Sequence, residues 1–595
     1  MESITDERRV REVVREATNG QHIRLNDNQR EAIEIILTSR DRIIGLQGSA
    51  GTGKTTTLSV LKQAVERSGY DIKGYAPTTK AVKQLSESGI ETQTLQKFIR
   101  QWHASDKALH LAHDPFKAPH LAHDPRAHNL ANDPHALGTG RYQIADSSPD
   151  SNPNASRKLE GDDPGTSGKG QTKRNYRTRD KRTLYVLDES SLASSRNLHT
   201  FFDRIGPEDK VLLVGDVRQH QAIEAGSPLE QLQQHGMRTA KLTKIVRQTD
   251  ASLKRVVEHL SARQIHAAVT GLRAGGRVIE IPDEHERLQC IARDYVAQPE
   301  GALVISPANK ERVAINMMIR RQPQEQGGVS RGDHATSVYV NRQEMTGAER
   351  TFAGAYVPGE DIIRYNTRSK VYGVRTGEYG RMTANNYAEN TITVTLESGR
   401  EITYNPQRLS GVSVYREAER EFAEGDRIQF RAPLQEHRVV NNELGRIEHI
   451  EGRQFTVALD DGRRVQFDAG EFRHLDHGYA VTSYSSQGET VDRVIINANT
   501  NEPDVLLNQR MSYVAVSRAR EDAVVYTNSA DELGEALDRQ VDKEMALNAW
   551  QSGQLSKSTS QQVEHAPDAH VHQHSHSLPE RSRTMNAREH GYAME

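Results

Sequence analysis

Cysteine is almost absent from this chain: Cys290 is the only one in 595 residues. Disulfide frameworks and cysteine-based zinc sites are excluded, and a reducing, cytoplasmic setting is the natural reading. No run approaches the ~18 apolar residues of a membrane-spanning helix, so no membrane insertion is expected. The opening residues, Met1-Glu2-Ser3-Ile4-Thr5-Asp6-Glu7-Arg8-Arg9, lack the apolar segment of a secretory signal. Charge of one sign is lacking too. With a formal net charge of −3, any nucleic-acid surface must be a local basic groove. Apolar residues make up only 35%, and two polar segments account for much of that. The length still calls for roughly two to four domains.

What is present begins with the apolar run Ile43-Ile44-Gly45-Leu46-Gln47. It leads into Gly48-Ser49-Ala50-Gly51-Thr52-Gly53-Lys54-Thr55, and Thr56-Thr57-Leu58-Ser59-Val60-Leu61 reads as the start of a helix. Strand, glycine-rich loop and helix form the context in which G-x-x-x-x-G-K-T binds phosphate. Backbone N–H groups wrap the phosphate oxygens, and the helix N-terminus adds a favourable dipole. Lys54 can reach the β- and γ-phosphates, and the Thr55 hydroxyl can ligate Mg²⁺. The predicted ATP site therefore includes Gly48, Ser49, Ala50, Gly51, Thr52, Gly53, Lys54, Thr55 and Thr56. A charged helix candidate, Glu7 to Glu16, and a helix opening at Asn26-Asp27-Asn28-Gln29 precede it. The Gln29 amide suits the N6/N7 edge of adenine, as it also suits an exposed helix start.

Further strands end in polar groups. Thr183–Leu187 runs into Asp188-Glu189, and Val211–Val214 into Gly215-Asp216-Val217-Arg218-Gln219. Parallel sheets present functional side chains at strand C-termini. Asp188 there can hold the Mg²⁺ shell, Glu189 can deprotonate an attacking water, and Gln219 can sense the γ-phosphate or that water. Ala76-Pro77-Thr78-Thr79-Lys80 is a helix start that could grip a sugar-phosphate backbone or be an ordinary cap. The stretch Gly301–Ile305 followed by Ser306-Pro307-Ala308-Asn309 repeats that logic in a second α/β unit.

Residues 104–181 change character. Leu111-Ala112-His113-Asp114-Pro115, Leu121-Ala122-His123-Asp124-Pro125 and Leu130-Ala131-Asn132-Asp133-Pro134 form a degenerate repeat, followed by Ser/Asp/Pro/Gly-rich chain and the basic run Lys173–Arg182. Nothing there can build a core, so a disordered insertion is expected. The basic run is as readily a solvated flank as a nucleic-acid contact. The Ser/Gln/His-rich tail at 549–595, with His570, His572, His574 and His576, reads as disorder rather than a metal site. Residues from about 355 to 475 look all-β and repeat internally. Asp361-Ile362-Ile363-Arg364-Tyr365 matches Asp426-Arg427-Ile428-Gln429-Phe430, Gly377-Glu378-Tyr379-Gly380-Arg381 matches Asn442-Glu443-Leu444-Gly445-Arg446, and Ile392–Ile402 matches Phe455–Val465. Two tandem small β-barrels are expected. The α/β pattern resumes with Gly478-Tyr479-Ala480-Val481-Thr482, Gln487-Gly488-Glu489 and Arg510–Arg520.

In this order, the phosphate loop, Asp188-Glu189, Gly215-Asp216-x-x-Gln219, Arg247-Gln248, Gln487-Gly488 and Val516-Ser517-Arg518-Ala519-Arg520 resemble a superfamily 1 helicase across roughly residues 22–100 and 183–530. Within it the chain is most similar to the RecD-like (SF1B) group, and there to the helicase part of TraI/TrwC-type relaxase–helicases. The resemblance implies an α/β fold of two tandem RecA-like P-loop NTPase domains, with small SH3-like β-barrel insertions in the second, plus a disordered insertion and tail. The expected layout is an N-terminal charged helix (1–21), a first domain (22–103 and 182–246) split by the insertion, a second domain (247–350 and 475–548) split by the barrels (351–474), and the tail.

The resemblance also implies roles. Lys54, Glu189, Gln219, Arg247 and Arg518 would be catalytic, the two arginines reaching the γ-phosphate from the second domain. Gln29 would read adenine, and Gly488 and Glu489 would meet the nucleotide. Pro77, Thr78, Lys80, Thr94, Asn309 and Thr482 would line a single-strand channel, and movement would run 5′ to 3′. Where many relatives carry His-Lys, this chain has Tyr484-Ser485; Tyr484 could stack on a base for ~1–3 kcal/mol. The nicking half of such proteins, with its nucleophilic Tyr and paired metal-binding His, is not seen ahead of the motor. The expectation is an ATP- and Mg²⁺-dependent motor on single-stranded DNA and single/double-strand junctions, with a relaxase or type IV transfer machinery as partner. Two other readings stand beside it: an ATPase that translocates without unwinding, and an idle scaffold. The intact Lys54, Asp188, Glu189, Gln219 and two arginines argue against idleness. The barrels read equally as a DNA prong or clamp and as a passive insert.

Overall fold

The computed structural model of the chain describes residues 1–541, except 22, 102–180, 222–225, 327–328, 331, 333, 343–344, 346 and 410. The expected insertion, its last residue apart, and the expected tail lie outside the described residues.

The first α/β domain runs α1 (Val10–Gln21), α2 (Asp27–Thr38), β1 (Ile43–Gly48), α3 (Lys54–Arg67), β2 (Asp71–Ala76), α4 (Thr79–Ser86), β3 (Thr92–Thr94), β4 (Thr183–Leu187), α5 (Ser195–Phe202), β5 (Lys210–Gly215), α6 (Pro228–Gln234) and β6 (Thr239–Leu242). Its sheet has the order β3-β2-β4-β5-β1-β6, with every pair parallel. Helices cover both faces, which is why β4 and β5 read as unbroken apolar runs. Even Lys210 of β5 is buried, its ammonium donating to the carbonyls of Ser39 and Asp41 at 2.9 and 2.8 Å. The charged N-terminal helix hides an apolar stripe: Val10, Val13, Val14 and Ala17, at helical spacing, join the core under α3.

A parallel sheet puts all strand C-termini along one edge. Read along that edge, strand order gives Thr94 at the end of β3, Pro77 and Thr78 after β2, Asp188 and Glu189 after β4, Asp216–Gln219 after β5, and the phosphate loop after β1.

The second α/β domain opens with α7 (Ala251–Ser261), α8 (Ile265–Ala274), β7 (Val278–Glu280), α9 (Glu284–Ala297), β8 (Ala302–Ile305) and α10 (Asn309–Gln326), and is then interrupted. The interruption consists of β9 (His334–Asn341), β10 (Asp361–Tyr365), β11 (Tyr379–Asn386), β12 (Thr391–Leu396), β13 (Glu401–Tyr404), β14 (Val412–Phe422), β15 (Arg427–Phe430), β16 (Leu444–Glu451), β17 (Gln454–Leu459), β18 (Arg464–Asp468) and β19 (Leu475–His477). These make two antiparallel sheets, β13-β12-β11-β10-β14-β9 and β18-β17-β16-β15-β19. β9 falls within residues the sequence places in the second α/β domain, yet it pairs along its length with β14, some eighty residues on. The chain then resumes with β20 (Ala480–Val481), β21 (Val491–Ala498), α11 (Gln509–Val516), β22 (Ala519–Thr527) and α12 (Ala530–Asp538). The second parallel sheet is β20-β8-β21-β22-β7, which sets Thr482 and Asn309 after adjacent strands.

The internal repeat is a repeat of register. Ile363 faces Gly380 as Ile428 faces Gly445, and Gly380 faces Leu396 as Gly445 faces Leu459. Each copy has a bulge at the equivalent place, Met382/Ala384 and Ile447/His449. A Cβ on Gly380 or Gly445 would meet Val394 Cγ1 or Val457 Cγ1 at 2.5 or 2.7 Å, so both copies require glycine where the strands cross closely.

Each copy also begins on a fully buried aspartate, Asp361 or Asp426. Asp426 accepts from Arg320 Nε, Tyr479 Oη and Ala423 N, each at 2.8 Å, and so fastens α10 and the β19–β20 link to the second repeat. Asp426→Ala leaves Arg320 buried and without this carboxylate. It is expected to cost about 3–5 kcal/mol, read as a fall in thermal or denaturant stability; an unchanged midpoint would refute this anchor.

Candidate active site

β1 delivers the phosphate loop, and local bonds fix its shape. Gly51 and Gly53 hold φ of 74° and 77°, a region that glycine enters without strain. Thr52 Oγ1 donates to Ser49 O at 2.9 Å, and Lys54 Nζ donates to Gly48 O at 3.0 Å. The Gln29 side chain is buried against the loop. Its Nε2 donates to Thr52 O at 3.1 Å, and its Oε1 accepts from Asn26 N at 3.1 Å within a capping box. Gln29 thus braces the loop from the start of α2, a role its sequence position did not reveal.

β4 carries Asp188 and Glu189. Asp188 Oδ1 accepts from the Glu189 N–H at 2.8 Å. Burial, then the neighbouring Glu189 carboxylate, push the Asp188 carboxyl above its usual range, against the pull of Lys54. Glu189 has a left-handed backbone, φ 46°, and its Oε2 is buried with no hydrogen-bond partner. Two adjoining carboxylates beside Lys54, one with an orphaned oxygen, are a donor set that fits a divalent cation and a water. Among the described residues no separate cluster of His, Cys, Asp and Glu forms a metal site.

β5 carries the next loop. Asp216 is fully buried and accepts from Gln47 Nε2 and Tyr513 Oη, both at 2.8 Å. Arg218 Nη1 donates to Ser49 Oγ of the phosphate loop at 2.9 Å. Gln219 is buried, and its carbonyl accepts from Arg510 Nη1 at 3.2 Å.

The far wall comes from the second domain. The Arg247 N–H donates to Gly51 O at 3.1 Å, and its guanidinium donates to Ser517 O at 2.7 Å. A Cβ on Gly51 would meet Arg247 Cβ at 2.5 Å, so the loop glycine also makes room for this arginine. Arg518 is almost wholly buried and donates to Val514 O, Ser517 Oγ and Glu489 O. Burial and the neighbouring Arg518 push Arg247 down to about 9, and burial likewise lowers Arg518. Arg247 thus stands over the phosphate loop with Arg518 near it, both hydrogen-bonded to neutral oxygens, and Arg518 also feels the Glu189, Glu489 and Asp216 carboxylates.

A second cleft, about 570 Å³ and open to solvent, lies between α4 and the Gln487-Gly488 segment; Thr78, Lys80, Glu189, Tyr484 and Gly488 line it. Three predicted strand contacts, Thr78, Lys80 and Tyr484, are therefore brought together beside Glu189. Lys80 Nζ donates to Glu489 Oε1 at 2.5 Å, and Gln84 Nε2 to Gly488 O at 2.6 Å. Tyr484 stacks on His220, ring centroids 3.9 Å apart, so one face of its ring is taken. Burial pushes His220 down to about 3, and the neutral ring faces Ser483 Oγ at 3.1 Å.

The remaining predicted contacts do not line this cleft. Thr94 caps the helix that follows β3 by accepting from Lys97 N, Thr482 Oγ1 donates to Ser485 Oγ, and Asn309 Oδ1 accepts from Arg312 Nε. Pro77 is half-buried beside Thr78, while Thr55 is exposed and Thr56 half-buried at the start of α3. Sequence reasoning passed over Gln47, Asp216, His220, Arg510 and Tyr513. Asp216, Arg510 and Tyr513 lay inside blocks already singled out, but no spacing marks them, because their partners lie across the cleft.

Residues 24–283 match a family model described as an AAA domain, and residues 477–526 one described as a UvrD-like helicase C-terminal domain. The chain is 24% identical over 522 residues to the probable conjugal transfer protein TraA of Sinorhizobium fredii (strain NBRC 101917 / NGR234), covering 87% of this chain and 34% of that protein. It is 22% identical over 583 residues to the multifunctional conjugation protein TraI of Escherichia coli (strain K12), covering 89% and 29%. The chain spans about a third of the length of the curated relatives it matches. Among solved structures it is similar to the Pif1 helicase from Candida albicans, with 12% identity, 90% of this chain and 100% of that one covered, and a TM-score of 0.41.

Proposed function

We propose that this chain is a superfamily 1 helicase of the SF1B type, related to the helicase part of TraI, and that it hydrolyses ATP to move along single-stranded DNA, 5′ to 3′, displacing the paired strand at single/double-strand junctions; the AAA and UvrD-like C-terminal matches and the likeness to TraA and TraI support this. One observation carries the reading. A phosphate loop and a carboxylate pair of the first α/β domain meet two arginines of the second, Arg247 at Gly51 and Arg518 near Glu189, and Glu189 also borders the cleft holding Thr78, Lys80 and Tyr484.

The residues divide the work. The backbone of Gly51–Gly53 and Lys54 would hold the phosphates, the Ala50 N–H being bonded to Tyr513 Oη, and Thr55 with Asp188 would hold Mg²⁺. Bound Mg²⁺ neutralises charge on the phosphate oxygens. Glu189 takes the proton of the attacking water, and Gln219 positions that water. Arg247 and Arg518 stabilise the charge that develops on the transferring phosphoryl group, so full activity requires both domains to close. Gln29 holds the loop for adenine to dock beside it, and Gly488 and Glu489 border the nucleotide from the second domain. Alternating grip by the two walls would turn each cycle into a step. Pro77, Thr78, Lys80 and Thr94 of the first domain would hold the strand, and Asn309, Thr482 and Tyr484 of the second. The two antiparallel sheets are read as SH3-like barrels, a clamp on the strand or the duplex. A cytoplasmic role in conjugative DNA transfer, with a relaxase or transfer machinery as partner, fits the relatives' names.

Duplexes with single-stranded tails test this. Strand displacement is expected on 5′-tailed substrates and not on 3′-tailed ones, with ATP hydrolysis stimulated by single strands. Efficient displacement from a 3′ tail would refute the polarity. Stimulated hydrolysis without displacement from either tail would identify a translocase that does not unwind.

A further inference from the structure

Tyr513 stands on α11 of the second α/β domain, yet both partners of its hydroxyl belong to the first. It accepts from the Ala50 N–H of the phosphate loop at 2.7 Å and donates to Asp216 Oδ2 at 2.8 Å. All three residues are buried, Tyr513 at 1% exposure. One turn earlier on α11, Arg510 donates to the carbonyls of Val217 and Gln219 at 3.1 and 3.2 Å. The loop bearing Gln219 is thus gripped twice by one helix of the other domain. The other Asp216 oxygen is fixed by Gln47 of β1 at 2.8 Å.

We infer that Tyr513 is a positioning residue for ATP hydrolysis: its hydroxyl registers the second domain against both the phosphate loop and the Asp216–Gln219 loop. The inference rests on the motor reading above. A hydroxyl that both accepts and donates across a buried interface is satisfied only when the two walls are in register. Any separation of the walls breaks both bonds at once and leaves an N–H and a carboxylate oxygen without their shared partner. The contact therefore discriminates the aligned arrangement of the cleft from a loosely closed one. It does so without occupying the place of Lys54 or Glu189, so it acts on turnover rather than on nucleotide binding.

Tyr513→Phe keeps the ring and removes the relay. Tyr526→Phe is the matched control, since Tyr526 Oη donates to Asp294 Oδ2 at 2.9 Å wholly within the second domain. Steady-state ATP hydrolysis with and without oligo(dT), and melting of each protein, supply the readouts. Tyr513→Phe is expected to lose about 10–100-fold in oligo(dT)-stimulated kcat with KM for ATP changed less than about threefold, the scale set by small misplacements of reacting groups. Tyr526→Phe is expected to keep its kcat even where its melting point falls. Wild-type kcat and stimulation in Tyr513→Phe would overturn the inference, as would kcat losses that track melting in both variants. A wild-type protein without oligo(dT)-stimulated hydrolysis would instead refute the motor reading, and the relay with it.

Discussion

Glu189→Gln is expected to lower single-strand-stimulated ATP turnover by about 10²–10⁴-fold while leaving nucleotide affinity nearly unchanged. Several features single out this carboxylate. It follows β4 at the C-terminal edge of the sheet, next to the loops after β2 and β5. It is one of few non-glycine residues with positive φ among those described, and two of the others are asparagines, which tolerate that region. Holding a glutamate there costs on the order of 1–3 kcal/mol and persists only where the surroundings impose it. Its Oε2 is buried without a partner, an arrangement that destabilises an idle site and suits one completed by water. Glutamine preserves the shape and the backbone but cannot take a proton. Lys54→Ala should differ in kind, because it removes a phosphate contact and so weakens binding as well as turnover. Measuring kcat with oligo(dT) alongside binding of a fluorescent ATP analogue separates the two. Turnover of the Glu189→Gln protein within about fivefold of wild type would remove Glu189 from the role of general base.

The parts of this site that were legible in the sequence are those set by local chain. The glycine spacing of residues 48–53 announces a phosphate loop because only a particular run of φ angles makes one. Thr183–Leu187 announces a buried parallel strand because both its faces must be apolar, and its end then locates Asp188 and Glu189. The repeat within the β-rich region was legible for the same reason, since hairpin register and the crowded glycines 380 and 445 are written into neighbouring residues. What could not be read depends on which surfaces meet. Lys80 read as part of a helix start that could grip a sugar-phosphate backbone, and its pairing with Glu489, 409 residues away, could not be seen. Tyr484 looked like a free ring, but it lies on His220. Gln29 read either as an adenine contact or as an exposed helix start, and its burial with the amide bracing Thr52 could not be seen from the sequence. β9 was read into the α/β domain because an alternating strand does not say which sheet it will join.

Arg518→Ala is expected to reduce stimulated turnover by about 10³–10⁵-fold, the range of an arginine supplied across a cleft. The argument is electrostatic. Arg518 is 3% exposed, and its donors reach Val514 O, Ser517 Oγ and Glu489 O, while Arg247 reaches Ser517 O. Neutral oxygens satisfy hydrogen bonds but not charge. Burial and the neighbouring Arg518 lower the Arg247 pKa to about 9, and the Glu189, Glu489 and Asp216 carboxylates offset the burial of Arg518 only in part, so the pair still favours added negative charge. Closing the cleft on a triphosphate supplies it, and the same charges that cost stability in the empty protein then favour the closed form. Two consequences are distinctive. Without nucleotide, Arg518→Ala should melt no lower than wild type, because a buried like charge has been removed. With an ATP analogue, wild type should gain stability by mass action, and the variant should gain less. Arg518→Lys should recover little, since a point charge does not reproduce the planar fork. If Arg518→Ala melted several degrees lower without nucleotide and kept its turnover, the residue would be a structural strut of α11, and the far wall of the site would have to be assigned to Arg247 alone.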